Sequence, residues 1–164
     1  MTSASTIRPR WIAPHVREAL DDTPVVAIVG PRQAGKSTLV ASIIADRSGW
    51  TSWTLDDLDV LERAHADPAA LIAAAIGPVA IDEVQRAPHL LLAIKAAVDR
   101  DRRPGRFLLT GSADVFALPR YGDALTGRIE VAPLRPFSQG ELGGVREDFA
   151  AWAFGGAAPS APEP

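Results

Sequence analysis

The sequence predicts an α/β fold in three layers, a mostly parallel five-stranded sheet with helices on both faces. Runs such as Val25 to Val29 and Val79 to Ile81 are wholly apolar and rich in β-branched residues, the pattern of strands buried on both faces. They alternate with stretches whose apolar residues recur at helical spacing, as in proteins built around parallel sheets. A length of 164 residues, 47% of them apolar and 23% charged, suits one hydrophobic core and is too short for two full-sized ones.

Trp11, Ile12, Val16, Ala19 and Leu20 recur at helical spacing between Pro9 and the breaker Asp21-Asp22-Thr23-Pro24. They predict a short amphipathic helix packed on the core, within an N-terminal helical extension over residues 1–23. The core is expected over residues 24–142. Val25 to Val29 ends in glycine, and from Gly35 the pattern becomes a helix with Leu39, Val40, Ile43 and Ile44 on one face. Trp50 to Leu55 predicts a second strand with Asp56-Asp57 at its end, followed by helical segments around Leu58 to His65 and Pro68 to Ile76. Val79 to Ile81 is the third strand, and Pro88 suits the first residue of a helix running to Asp99. Arg106 to Thr110 and Arg128 to Val131 supply the fourth and fifth strands, with a helical stretch after Gly111-Ser112. After Pro133 prolines and glycines come in quick succession, and residues 143–164 are expected to form a remnant helix and a flexible Ala, Gly and Pro tail.

Several function classes are removed by composition. The absence of cysteine excludes disulfides, thiolate metal sites and cysteine nucleophiles. A net charge of -3 gives no global basic field of the kind dedicated nucleic-acid binders carry. The longest apolar stretch, Ala69 to Ile81, is broken by Gly77-Pro78 and is shorter than the roughly 20 residues of a membrane span. Met1 to Arg10 is polar and does not read as a secretion signal, so a cytoplasmic location is expected. His15, His65 and His89 lack metal-ligand spacing, and the four tryptophans read as packing anchors.

Gly30-Pro31-Arg32-Gln33-Ala34-Gly35-Lys36-Ser37 fits G-x-x-x-x-G-K-[ST] without a mismatch, between a buried strand and an amphipathic helix. Glycines let the backbone wrap a phosphate so that successive N–H groups face it, and the helix beginning here turns its positive end to the same anion. Lys36 would reach the β- and γ-phosphates and the Ser37 hydroxyl would ligate Mg2+; Thr38, next in the chain, completes the expected nucleotide-binding set. Val79-Ala80-Ile81-Asp82-Glu83 then supplies a carboxylate for the metal, Asp82, and a base for the attacking water, Glu83. Phe107 to Ser112 forms a further strand ending in hydroxyls, so Thr110 or Ser112 is positioned to sense the γ-phosphate or place water. A Thr-Gly-Ser turn that merely caps the next helix is the alternative.

Together these residues resemble the bacterial and archaeal AAA-type ATP-binding proteins in which a P-loop core precedes a C-terminal domain. The resemblance rests on the phosphate loop, Leu55-Asp56-Asp57, Asp82-Glu83-Val84-Gln85-Arg86-Ala87-Pro88, Leu109-Thr110-Gly111-Ser112, Leu125-Thr126-Gly127-Arg128 and Leu134-Arg135-Pro136-Phe137-Ser138-Gln139-Gly140-Glu141-Leu142. It implies an AAA-like core using ATP and Mg2+, with the Thr110 strand between the phosphate-loop strand and the Asp82 strand. It also implies that Arg128 contacts the γ-phosphate in its own subunit or a neighbour's, the alternative being a structural ion pair at a strand start. A second domain normally follows the Pro-Phe-Ser segment, whereas here the Ala, Gly and Pro tail follows, so the expectation is a shortened core whose partner is a missing domain, another protein or a second copy.

The leading reading is an ATPase, and the second a nucleotide-gated binding module with little hydrolysis. A nucleic-acid-associated motor is third, resting on Arg100, Arg102, Arg103 and Arg106, but Asp99 and Asp101 are interleaved with them. A guanine-reading Asn-Lys-x-Asp motif is impossible in a chain without asparagine.

Overall fold

A computed structural model describes residues 8–117 and 125–143. Its strands are β1 (Val25–Val29), β2 (Thr51–Thr54), β3 (Val79–Asp82), β4 (Phe107–Gly111) and β5 (Ile129–Pro133). They form one sheet in the order β2-β3-β4-β1-β5 with every pairing parallel, so the Thr110 strand does lie between the other two site strands. Every residue of β1 and β4 is buried, whereas the edge strand β2 alternates between half-buried and exposed.

The helices are α1 (Ala13–Asp22), α2 (Lys36–Ala45), α3 (Leu58–Ala66), α4 (Pro68–Ala73), α5 (Leu90–Arg100), α6 (Ala113–Ala117) and α7 (Gln139–Gly143). Strand periodicity divides the core between two faces. Val25, Ala27, Ile81 and Leu109 pack with Ala64 of α3, Leu71 of α4, and Leu90 and Ile94 of α5. Val26, Ile28, Ala80 and Leu108 pack on the other face with Val16 and Leu20 of α1 and Leu39 and Ile43 of α2. Each large aliphatic side chain so buried contributes about 1.5–3 kcal/mol over leaving it exposed.

Because the strands are parallel, the segments after β1, β3 and β4 all emerge at one edge of the sheet. Asp57 fixes the start of α3 by accepting the N–H groups of Asp59 and Val60, while Asp56 pairs with Arg86 across that edge, which explains both acids of the Leu55-Asp56-Asp57 motif.

Two local expectations are revised. Trp11 precedes α1, which begins at Ala13 with Pro14 in its first turn, and the indole is 64% exposed with its rim against Gly140. The helix itself packs on the core as its spacing predicts, Ala13, Val16, Ala19 and Leu20 lying in the same core as α2. Pro88 sits two residues before α5, its carbonyl accepting the Leu91 N–H, after a 3-10 turn over Val84–Arg86. The expected tail lies outside the described residues beyond Gly143.

Candidate functional site

The chain leaves β1 into a loop that only part of the residue alphabet can follow. A Cβ on Gly30 would stand 2.2 Å from the Leu134 carbonyl oxygen, so the close approach of the chain leaving β5 requires glycine there. Gly35 has φ +87°, the left-handed region, and forms the N-cap of α2 without any side-chain cap. The first-turn N–H groups of a ten-residue helix are thereby left facing the loop, a ready anion site. The Lys36 ammonium, on a residue only 6% exposed, donates to the carbonyls of Gly30 (3.1 Å) and Pro31 (3.0 Å).

Directly across from the loop, the Ser37 hydroxyl donates to Asp82 Oδ2 at 2.8 Å. The other Asp82 oxygen accepts from the Thr110 hydroxyl, and Thr110 Oγ1 in turn accepts the Glu83 N–H at 3.1 Å. Thr110 is fully buried, so its hydroxyl is committed to fixing the two acids and does not face the open side of the loop. Glu83 has φ +60°. Among the described residues the two non-glycine residues with positive φ are Gln33, inside the loop, and Glu83, and such a backbone costs about 1–3 kcal/mol and concentrates at functional sites. Gln85 donates its amide to the Glu83 carboxylate while its oxygen accepts the Ser112 N–H at 3.3 Å, tying that carboxylate to the end of β4. Ser37 and Asp82 together present adjacent hard oxygen donors of the kind Mg2+ takes, one carboxylate and one hydroxyl beside a phosphate loop.

A cleft of about 650 Å3 opens beside the loop between the N-terminal segment and α2, lined by Arg8, Arg10, Gly35, Thr38, Leu39 and Phe137 among others. Pro31, Arg32, Gln33, Ser37 and Thr38 are exposed, and Ala34 is buried.

A family model described as an AAA domain matches residues 22–143. The chain belongs to this AAA family. An uncharacterised protein of Mycobacterium tuberculosis and one of Mycobacterium bovis are each 35% identical over 159 residues, 96% of this chain. The chain spans 35% of the length of these curated relatives. A Walker-type ATPase of Pyrococcus abyssi resembles the AAA core in fold, with a TM-score of 0.56 and 17% identity over 86% of this chain and 57% of the other.

Not every residue expected at the AAA site is there. Arg128 precedes β5, whose first residue Ile129 pairs with Val25, the first residue of β1, so Arg128 stands at the edge opposite the phosphate loop. Its Nε donates to Asp99 Oδ1 at 2.7 Å and Nη1 to the Thr126 carbonyl at 3.0 Å. Contact with its own subunit's γ-phosphate is therefore corrected to an ion pair at the strand start, and only a neighbour's site remains open to it. The Lys95 ammonium, and after it Arg128, holds the Asp99 carboxyl below its ordinary range. Three of the four arginines considered for nucleic acid are tied up similarly, Arg102 with Asp99 and both Arg103 and Arg106 with Asp101, while Arg100 Nε donates to the Ala96 carbonyl of its own helix.

Two residues not singled out from the sequence do reach the loop region. Arg10 is 8% exposed and its Nη1 donates to the Ala34 carbonyl at 2.7 Å. Glu141 accepts from Arg10 Nε (3.1 Å) and from the N–H groups of Trp11 and Ser138 (both 2.9 Å). Burial opposes the charge of Glu141, but those N–H donors and the guanidinium outweigh it and hold the carboxyl at about 2. The signal was partly legible, because Ser138-Gln139-Gly140-Glu141 has capping-box spacing and Ser138 Oγ does accept the Glu141 N–H at 3.2 Å. Among the described residues no helix is long and apolar enough to cross a membrane.

Proposed function

We propose that this chain binds Mg-ATP at residues 30–38 and hydrolyses its terminal phosphoanhydride bond. The observation that carries the reading is the 2.8 Å bond between Ser37 Oγ and Asp82, which supports these two oxygens as the metal ligands beside the phosphate loop, with Glu83 next in the chain. Mg2+, held by the Ser37 hydroxyl and by Asp82, would supply neutralising charge to the phosphate oxygens.

The protein's own groups do the rest. Backbone N–H groups at the start of α2 and the Lys36 ammonium bind the phosphates and orient them. Thr110 keeps Asp82 and the Glu83 backbone in place. The Glu83 carboxylate takes the proton of the attacking water as its oxygen bonds to the γ-phosphorus and the bond from that phosphorus to the β–γ bridging oxygen breaks, ADP carrying away the bond's electrons. The nucleoside lies in the cleft beside Gly35 and Thr38, which is continuous with the loop.

Phosphate release from Mg-ATP by the 164-residue protein tests the reading, with Lys36→Ala and Glu83→Gln alongside. Turnover abolished in both supports it, and turnover equal to wild type in both would sink it. A nucleotide-gated binding module is the second reading, supported by the tie between Gln85 and the Glu83 carboxylate. Nucleotide binding without phosphate release, in wild type and in Gln85→Ala alike, would favour that module over the enzyme.

A further inference from the structure

Arg10 lies before the sheet begins, yet it touches two separate parts of the chain, the phosphate loop and the segment after β5. Its Nη1 donates to Ala34 inside the phosphate loop, its Nη2 to the Arg135 carbonyl at 2.5 Å and its Nε to Glu141, while its plane lies 4.1 Å from the centre of the Phe137 ring. Arg8 donates to the Leu142 carbonyl beside it. We propose that Arg10 is a positioning residue for the phosphate loop, and that with Glu141 it links the loop's geometry, hence its hold on phosphate, to the segment Leu134–Leu142.

The coupling passes through one peptide plane. Ala34 C=O and Gly35 N–H point to opposite sides of a planar trans peptide, so a donor that fixes the oxygen fixes the direction of the hydrogen. Ala34 stands between Gln33 at φ +64° and Gly35 at φ +87°, two left-handed residues between which a peptide could rotate unless held. A buried guanidinium at 2.7 Å holds it, and a charge-assisted bond out of water is stronger than a neutral one. Gly35 N–H is one of the groups an anion at this loop would need. Glu141 is the counter-charge that makes burial of Arg10 tolerable, both side chains being under a tenth exposed. A second tie runs along the same path, since Leu134 N donates to the Val29 carbonyl at 2.7 Å and its own carbonyl excludes any side chain at Gly30.

Linkage makes the effect reciprocal: if the segment after β5 orders the loop, phosphate at the loop orders that segment. The inference rests on the nucleotide reading only for its binding arm. In the 164-residue protein, Arg10→Lys keeps the charge but replaces a planar fork of three nitrogens with one, and Glu141→Gln keeps the shape but not the counter-charge. Both are expected to speed amide hydrogen exchange at Gln33–Lys36 about tenfold in the free protein while amides of β1 and β4 keep wild-type protection. Both are also expected to raise the Kd for Mg-ADP about tenfold, equivalent to ~1.4 kcal/mol. Saturating Mg-ADP should slow exchange at Ser138–Leu142 in wild type and not in Arg10→Lys. Loop exchange at the wild-type rate in both variants overturns the proposal, whatever the nucleotide result. A wild-type protein that binds no Mg-ADP defeats the nucleotide reading instead, and the free-protein exchange still decides the role of Arg10.

Discussion

Two arginine–carboxylate pairs sit at opposite edges of the same parallel sheet, and they differ in nearly everything except their chemistry. Arg10–Glu141 joins residues 131 apart in sequence, is almost wholly excluded from water and bonds the phosphate loop itself. Arg128–Asp99 is partly exposed, belongs to a surface cluster with Lys95 and Arg102, and faces away from the loop. An exposed pair gains little because water and salt screen it, whereas removing one partner of a buried pair strands the other charge. Position relative to strand direction separates the two pairs: Glu141 follows β5 and lies toward the ligand edge, whereas Arg128 stands immediately before β5 at the other edge. Arg10 reaches the loop from the far end of α1, which returns the chain to the start of β1.

The largest expected effects lie at the edge that Arg10 serves. Glu83→Gln should lower turnover by about 10²–10⁴ while leaving the Kd for Mg-ATP near wild type, because the general base acts on the water and not on nucleotide binding. Single-turnover phosphate release beside equilibrium binding reads both. Equal loss of affinity and rate would mean that Glu83 holds the site together through Thr110 and Gln85 and does not act on water.

Gly30→Ala comes next. A methyl 2.2 Å from the Leu134 oxygen has to displace backbone, not a yielding side chain, so a loss of about 1–3 kcal/mol is expected in denaturant melts. The same displacement moves Arg135, which Arg10 grips, so loop exchange should rise together with the destabilisation. Destabilisation without faster loop exchange would separate the two edges of the comparison less cleanly than the contacts imply.

Much of this was legible before any coordinates. The apolar runs that open β1, β3 and β4 have the pattern of strands covered on both faces, and the loop of Gly30 to Ser37 announces itself because each fixed residue answers a constraint of anion binding. Arg10 was silent for a physical reason: a lone arginine in a polar lead-in acquires its role from partners in residues 34, 135 and 141, and no local pattern encodes contacts at that separation. The γ-phosphate contact of Arg128 came from the family resemblance, with an ion pair at the strand start as the alternative, and the direction of β5 puts its guanidinium in that ion pair. Trp11 fitted the helical spacing, yet Pro14 fixes the first turn of α1 and leaves the indole outside it.

Acid should act on the buried pair in a defined window. The Glu141 carboxyl is held at about 2, below its ordinary value, so its contribution to stability is complete above about pH 4.3 and is lost as pH falls toward that lower value. The stability difference between wild type and Glu141→Gln should therefore be constant near neutrality and shrink below that point. Denaturant midpoints measured for both at pH 6 and pH 3 give the comparison, and a difference independent of pH would place the contribution of Glu141 in packing, not charge.

The smallest effect is expected from Arg128→Ala. The pair with Asp99 is partly exposed and two other cations, Lys95 and Arg102, share that carboxylate, so Tm should fall slightly and Mg-ADP affinity should stay within about twofold of wild type. Raising the salt concentration should shrink even that change in Tm, because it screens an exposed pair and leaves packing alone. Turnover decides what a neighbouring copy adds. If Arg128→Ala loses activity in proportion to protein concentration, with nucleotide affinity intact, the guanidinium is supplied to another subunit's phosphate and the two edges meet across an interface. If activity is unchanged at every concentration, Arg128 only pins the start of β5 to α5, and the contrast with Arg10 stands within a single chain.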